Sequence, residues 1–110
     1  MATSPTHLAG PTTIGSSTSI LFQAVAVTWI HKITLLNYSG AVRSVSLYFV
    51  PSGQTPITGN LVVQDKQLNI GEAWEAWMLE GHVLGVDDTI RGVADAGNAI
   101  SILLSGSLFT

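Results

Sequence analysis

The feature that most constrains the fold of this chain is a two-residue alternation of apolar and polar side chains in short segments. Between Arg43 and Val50 the apolar members are Val45, Leu47 and Phe49, and the polar members are Ser44, Ser46 and Tyr48. The same alternation returns near the end of the chain, in residues 100–105. Because successive side chains of a strand point to opposite faces of a sheet, this pattern predicts strands with one face in a core.

Turn-forming residues separate these segments from one another. Prolines and glycines mark a long loop at 51–60, and residues 85–89 and 95–98 are rich in Gly, Asp and Asn, which favour turns. Further strands are predicted at 61–70 and 89–93. Seven or eight short strands at this spacing, without alternating helices, predict an all-β fold, either an antiparallel β-sandwich or a jelly-roll-like arrangement.

The long apolar segment 20–38 is also predicted to be extended. Uninterrupted alternation places Trp29, His31, Ile33 and Leu35 on one face, and Ile30, Lys32, Thr34 and Leu36 on the other. The turn residues that follow predict a hairpin, closed across the short connection from Tyr38 to Arg43. Polar residues interrupt the segment, so it does not fit a membrane-spanning helix.

The segment 71–81 is ambiguous. Its Ala, Glu, Met and Leu residues favour a short helix bracketed by glycines. Alternation instead sets Trp74, Ala76 and Met78 against Glu75 and Trp77. A lone helix of this length would be marginally stable beside an all-β chain, so we predict a strand.

The first 19 residues differ in composition from the rest of the chain. Leu8 and Ile14 are their sizeable apolar groups, among many Thr, Ser, Pro and Gly. This composition predicts a flexible N-terminal arm (1–19) outside the core, either disordered or ordered against a neighbouring subunit. Residues 20–110 are then expected to form a single β-sandwich domain, a usual size for one folding unit.

Charge and composition exclude several functions. Four Lys and Arg against seven Asp and Glu give a net charge of -3, which lacks the cationic surplus that nucleic-acid binding requires. No cysteine is present, so disulfides and thiolate metal sites are excluded. Only 10% of residues are charged and 46% are hydrophobic, which leaves apolar area on the surface. Such a surface is typical of a protein that a partner covers, so we expect an assembly.

Groups able to perform catalysis or to bind a metal are few and poorly spaced. The residues considered are His7, His31, His82, Asp87, Asp88 and Asp95. They match neither the spacing of a helical metal pair nor a calcium loop, and the aspartates are better explained as turn residues. Glu72 and Glu75 would point to opposite faces of a strand. We therefore predict no catalytic residue, no cofactor and no metal site, and we expect the chain not to be an enzyme.

Aromatic residues are the best candidates for a contact surface. Tryptophan is enriched among interface anchors and among platforms that stack on sugars. If 71–81 is a strand, Trp74 and Trp77 point to opposite faces, and at least one of them leaves the core. We therefore assign a candidate interface to Trp29, Trp74, Trp77 and Tyr48, and we favour an intersubunit contact over a sugar site.

Several short motifs follow one another in a distinctive order. A strand ends in Asn-x-Ser-Gly at 37–40 and another in Val-Pro-Ser-Gly at 50–53. A Gly-Glu turn at 71–72, an Asp-Thr-Ile strand at 88–90 and a closing Ile-rich strand with Ser-Gly at 100–106 complete the order. In order and spacing the chain resembles a group of small tailed-bacteriophage virion structural proteins. The tryptophan-rich stretch 72–80 departs from their pattern, in which a more polar strand is expected.

The resemblance implies a β-sandwich located in the virion, foremost as a decoration (cement) protein on the capsid surface. The implied partners are the major capsid protein, whose shell it would bind and stabilise, and further copies of this chain, with a trimer favoured. Neither nucleic acid nor a membrane is an expected partner. Two alternatives remain: a structural or adaptor protein of the tail, neck or a fibre, and, less favoured, a carbohydrate-binding module that stacks sugars on Trp74 or Trp77.

Overall fold

The fold consists of two antiparallel β-sheets. The computed structural model describes the backbone of residues 3–109, and their side chains apart from those of residues 3–7, 9 and 11. The strands within this range are β1 (Thr3–Ile14), β2 (Ser19–Gln23), β3 (Val27–Asn37), β4 (Arg43–Val50), β5 (Leu61–Leu68), β6 (Ala73–Glu75), β7 (Val83–Leu84), β8 (Thr89–Ala94) and β9 (Ile100–Phe109). Two single 3₁₀ turns, Thr58–Asn60 and Trp77–Leu79, lie between strands. The predicted all-β class is confirmed.

The two sheets pack face to face as a sandwich. Sheet A contains β1, β9, β3 and β6 in that order, and β7 also pairs with β3. Sheet B contains β2, β8, β4 and β5 in that order. The largest fully buried side chains are Ile14, Ile30, Ile33, Leu35, Leu47, Leu68, Leu79, Leu84, Ile90, Ile100, Ile102 and Leu104. They come from both sheets, so the core fills the space between them.

One extra residue in β3 corrects the predicted faces of that strand. Ile30 pairs with Gly106 of β9, and Lys32 pairs with the preceding residue, Ser105, so that His31 is inserted as a β-bulge. Before the bulge Trp29 is exposed and Ile30 is buried; after it Ile33 is buried. Trp29 and Ile33 therefore lie on opposite faces, contrary to the prediction from uninterrupted alternation.

The predicted hairpin between β3 and β4 is wrong, because these strands belong to different sheets. The connection is a corner held by Asn37, whose side chain is fully buried. Its Nδ2 donates hydrogen bonds to the carbonyl oxygens of Ala41 (2.8 Å) and Leu68 (3.0 Å). Its Oδ1 accepts hydrogen bonds from the backbone N–H and the hydroxyl of Ser39. These contacts fix the chain as it passes from sheet A to sheet B.

The predicted N-terminal arm is largely a strand of the sandwich. Residues 3–14 form β1, which pairs along β9 at the edge of sheet A, and Ile14 is fully buried. Residues 1 and 2 lie outside the described residues. An edge strand is held mainly by its backbone hydrogen bonds, so a segment with few apolar side chains can still be ordered. The prediction rested on side-chain burial and did not include the backbone pairing of β1 with β9.

The ambiguous segment 71–81 contains both a strand and a turn. The predicted strand is present at Ala73–Glu75, which pairs with β3. Trp77–Leu79 instead forms one 3₁₀ turn, and Gly81 follows with a positive φ of 86°. Glycine takes this conformation without strain, and it returns the chain to the edge of sheet A.

Candidate interaction surface

The four aromatic candidates lie on different parts of the sandwich. Trp29 is on the outer face of sheet A, 42% exposed, and its ring centroid lies 4.6 Å from that of His31. Tyr48 is half-buried on the outer face of sheet B, where its strand neighbours are Arg91 and Leu61. The structure therefore does not bring the candidates together into one patch.

Trp74 bridges the two sheets along one side of the sandwich. It pairs in register with Leu35 of β3 and packs against the core. The ammonium nitrogen of Lys66, on β5 of the other sheet, lies 5.1 Å from the centroid of the Trp74 ring. A cation at this distance over an indole ring is a stabilising contact. Trp74 is thus half-buried and already has a partner within its own chain.

Trp77 is the most exposed of the four, at 69%. It begins the 3₁₀ turn between β6 and β7, and both ends of this turn are fixed to β3. The N–H of Ala76 donates to the carbonyl oxygen of Ile33 (3.0 Å), and the N–H of Gly81 donates to that of Ile30 (2.7 Å). The expectation that Trp74 or Trp77 leaves the core is confirmed for Trp77. We call residues 76–81 the Trp77 turn.

A carboxylate completes the hydrogen bonding of β3 where the Trp77 turn interrupts the edge. Glu80 Oε2 accepts a hydrogen bond from the N–H of Ile33 at 3.2 Å. Partial burial of Glu80 raises its pKa, and the neighbouring Glu75 carboxylate raises it further; the Ile33 N–H and Lys32 act in the opposite direction. Lys32 Nζ also lies 3.6 Å from Glu75 Oε1. The turn is therefore held partly by a carboxyl group whose pKa is raised.

The raised pKa of Glu80 predicts how this group changes the stability of the chain with pH. Above the usual glutamate pKa of 4.5, the unfolded chain releases a proton that folded Glu80 still holds. The contribution of Glu80 to the free energy of unfolding therefore falls as pH rises from 4.5 through the raised pKa. Glutamine keeps the acceptor for Ile33 without the charge. We expect Glu80→Gln to flatten this fall and to be slightly more stable than the unaltered chain at neutral pH, measured by urea unfolding at several pH values.

Glu72→Gln is the matched control for this experiment. Glu72 Oε1 accepts a hydrogen bond from the N–H of Asn69 in another turn, which glutamine can also accept. The two variants make the same change of charge. A Glu80→Gln chain less stable at neutral pH than Glu72→Gln would contradict the assignment.

A shallow cleft of about 180 Å³ lies on the outer face of sheet B. Its lining residues are Ser44, Ser46, Asp65, Val93, Ala94 and Asp95. The Ser46 hydroxyl donates to Asp65 Oδ1 (3.3 Å) and accepts from the Asp65 N–H (3.0 Å). Asp65 has a positive φ of 48°, so this serine holds an irregular point of β5. The described imidazoles, His31 and His82, lie with the other sheet.

Clustered metal ligands and a long apolar helix are the features that would indicate a metal site or a membrane span. Among the described side chains, no three from His, Asp or Glu come close enough together to hold a metal ion. Within residues 3–109 no helix has the length and apolar character needed to cross a membrane. The His7 side chain lies outside the described side chains. The absence of enzymatic activity remains a prediction.

Sequence reasoning missed the charged residues at the edge of β3 beside the Trp77 turn. Lys32 is distant in sequence from Glu75 and Glu80, so no local spacing links it to them. The one signal available was a pair of glutamates on either side of an exposed aromatic residue, bracketed by glycines. In the sequence this pattern bears on whether the segment is a helix or a strand, and it does not indicate the edge of a sheet.

Comparison with protein-family models, with curated proteins and with solved structures finds no match to this chain.

Proposed function

We propose that this chain is a structural protein of a tailed-bacteriophage virion, and specifically a non-enzymatic capsid decoration protein. In this role it binds the major capsid protein on the outside of the shell and stabilises the shell. The order of short motifs supports the virion assignment. The exposed, rigidly held Trp77 supports a role in binding a protein surface, and it is the observation that carries the proposal.

The motif residues are ones that hold the sandwich together. Asn37 fixes the corner between the sheets, as described above. At the opposite end of β3, the Asp88 carboxylate accepts hydrogen bonds from the N–H groups of Ser52 (2.8 Å) and Gly85 (2.9 Å). A protein with the same motifs in the same order would be expected to form the same corners. The motifs therefore support a shared fold, and the virion role is inferred from that likeness.

Trp77 has the properties of an interface anchor. Its large ring is exposed, and the backbone on both sides of it is hydrogen-bonded to β3, so little ordering is needed when a partner binds. Burial of apolar area contributes roughly 25 cal/mol per Å². Even a small contact of this kind stabilises a shell when it is repeated at every symmetric position.

Replacing Trp77 with alanine is expected to weaken binding to purified capsid shells by about thirtyfold, the effect of losing a central aromatic anchor worth about 2 kcal/mol. Co-sedimentation of the purified protein with shells measures the change. Val25→Ala is the matched control, because Val25 is 79% exposed but lies near the Asp88 end of the sandwich, outside the Trp77 turn. Equal binding by the two variants would remove Trp77 from the interface.

The number of copies per particle tests the wider proposal. A copy number close to that of the major capsid protein in purified virions is expected of a decoration protein. A few copies per particle would instead favour the tail, neck or fibre alternative, and absence from virions would overturn the virion proposal. Deleting residues 1–19 would not test binding alone, because the deletion also removes β1 from sheet A.

The surroundings of Trp77 also favour one function of another class. An exposed indole offers a stacking surface, and Glu75 and Glu80, on either side of Trp77 in the sequence, carry acceptors for sugar hydroxyls, as in a carbohydrate-binding module. Quenching of tryptophan fluorescence by a glycan, lost in Trp77→Ala, would favour this function over shell binding.

A further inference from the structure

The proposed function makes no use of the outer face of sheet A. The side chains of β3 that point outward are Val27, Trp29, Lys32, Thr34 and Leu36, in an order set by the bulge at His31. Three of these five are apolar and between 38% and 42% exposed. A face of this kind in a sandwich usually covers another surface.

Neighbouring strands add apolar side chains at both ends of this face. Val83 of β7 is paired with Trp29 and is 55% exposed. At the other end Ala73 of β6 is paired with Leu36, and both are exposed. Each end of the face therefore presents a pair of apolar side chains on adjacent strands, with Trp29 the largest of the four.

The middle of the face carries opposite charges on neighbouring strands. Lys32 lies on β3, and Glu75 of β6 is paired with Thr34, the next outward position. The two charged side chains are 60% and 46% exposed and 3.6 Å apart. An exposed pair of this kind adds little to the stability of one chain. It can specify how a second surface docks, because each charge remains open to a partner.

We propose that this chain forms a two-fold dimer through the outer face of sheet A. The two-fold axis lies between the copies and runs across the strands at the level of Ile33. Rotation about this axis exchanges the two ends of the face. Trp29 of one copy then covers Leu36 of the second copy, and Val83 covers Ala73. Each contact occurs twice by symmetry.

The same rotation matches the charges. Lys32 comes level with Glu75 of the second copy, one strand to the side, and the reverse pair forms as well. On β9 the small, half-buried Ser101 and Ser105 flank Leu103, which is 42% exposed and comes level with Ser105 of the second copy. A large side chain opposite a small one allows two sheets to approach at the usual spacing of about 10 Å. This match of the face to itself is why we assign the position to a second copy rather than to a different protein.

Reversal of single charges tests the dimer. The full chain is expected to have twice its 11.6 kDa mass by sedimentation velocity, and to dissociate on dilution. Lys32→Glu makes the middle of the face wholly acidic, and Glu75→Lys makes it wholly basic. Either change alone is expected to raise the dimer Kd at least tenfold, because like charges then face each other. An equimolar mixture of the two variants is expected to restore the dimer.

Controls separate this result from misfolding. Asp95→Lys alters charge as Glu75→Lys does, but on the cleft of sheet B, and should leave the dimer unchanged. Circular dichroism and thermal unfolding show whether each variant folds. If a charge variant does not fold, Trp29→Ser and Leu36→Ser replace it, each expected to weaken the dimer by itself.

Three results would overturn the proposal. The first is a monomer at every concentration, in which case shell binding through this face becomes the better explanation of its apolar residues. The second is a trimer, as the resemblance implies, or any other mass. The third is a pair of folded charge variants that both remain dimeric, or that remain monomeric when mixed. The measurements need only the purified chain, so their failure would leave the proposed virion function to be tested separately.

Discussion

Replacing Asn37 with alanine is expected to lower the free energy of unfolding by about 4 kcal/mol. The Asn37 side chain is fully buried and makes four hydrogen bonds, and alanine would leave the carbonyl oxygens of Leu68 and Ala41 without these donors. A buried group left without its hydrogen bond costs about 1–3 kcal/mol. Since domains of this size are stable by only about 5–15 kcal/mol, a large part of the stability of the sandwich would be lost.

Urea unfolding followed by tryptophan fluorescence measures this loss. Asn69→Ala is the matched control, because the same side chain is removed from an exposed turn at the same end of the molecule. It is expected to change the free energy of unfolding by less than about 0.5 kcal/mol. Similar midpoints for the two variants would show that the corner does not depend on Asn37.

Replacing Gly106 with alanine is the second large effect, expected to cost about 3 kcal/mol. Gly106 is on β9, in the middle of sheet A between β1 and β3. A Cβ at this position would overlap the carbonyl oxygen of Trp29 and would come within 3.0 Å of Leu8 Cδ1. The Trp29 oxygen is backbone held by strand pairing, so it cannot move aside as a side chain would. Overpacking of this kind costs about 1–3 kcal/mol, and more where the backbone must shift.

Gly97→Ala provides the comparison for this variant. A Cβ on Gly97 would meet no atom within 4 Å, and the residue is in an exposed turn. Its alanine variant should unfold at nearly the same urea concentration as the unaltered chain. Hydrogen exchange adds a local measurement, because separation of β3 from β9 in Gly106→Ala should speed exchange of the amides near the bulge. Equal stability of the two alanine variants would mean that β3 and β9 are less closely packed than the structure shows.

Local alternation was enough to predict strands whose two faces differ. Residues 43–50 and 100–105 were predicted correctly because the apolar members of each alternation, such as Leu47 and Ile102, pack in the core. The hairpin between β3 and β4 was predicted wrongly because the turn residues at the corner resemble those of a hairpin. The difference depends on the contact of Asn37 with Leu68, which is distant in sequence. No local pattern contains that information.

The candidate site was predictable only in part, for a similar reason. Large aromatic side chains in an alternating segment suggested that one tryptophan would leave the core, and Trp77 does. The contact between Trp74 and Lys66 joins two sheets and cannot be read from either strand alone. The hydrogen bond that the Ile33 N–H donates to Glu80 likewise depends on where the edge strand is interrupted.

The proposed dimer and the proposed anchor fit together geometrically. An axis that runs across the strands leaves the same side of each sandwich facing the same way. The Trp77 turn lies on that side, at the β6 and β7 edge of sheet A. A dimer would therefore present two Trp77 side chains to one surface, and simultaneous binding of both would strengthen attachment beyond that of either alone.

The bulge at His31 changes which residues of β3 point outward. Before it, odd-numbered residues point outward, as at 27 and 29; after it, even-numbered residues do, as at 32, 34 and 36. The residue at the junction has no register partner on β9, although its Nε2 lies 2.6 Å from the Oγ of Ser107 on that strand, so it is freed from the alternation of its neighbours. A change in the number of residues at this point, and not in their type, would invert one end of the strand and turn Trp29 towards the core.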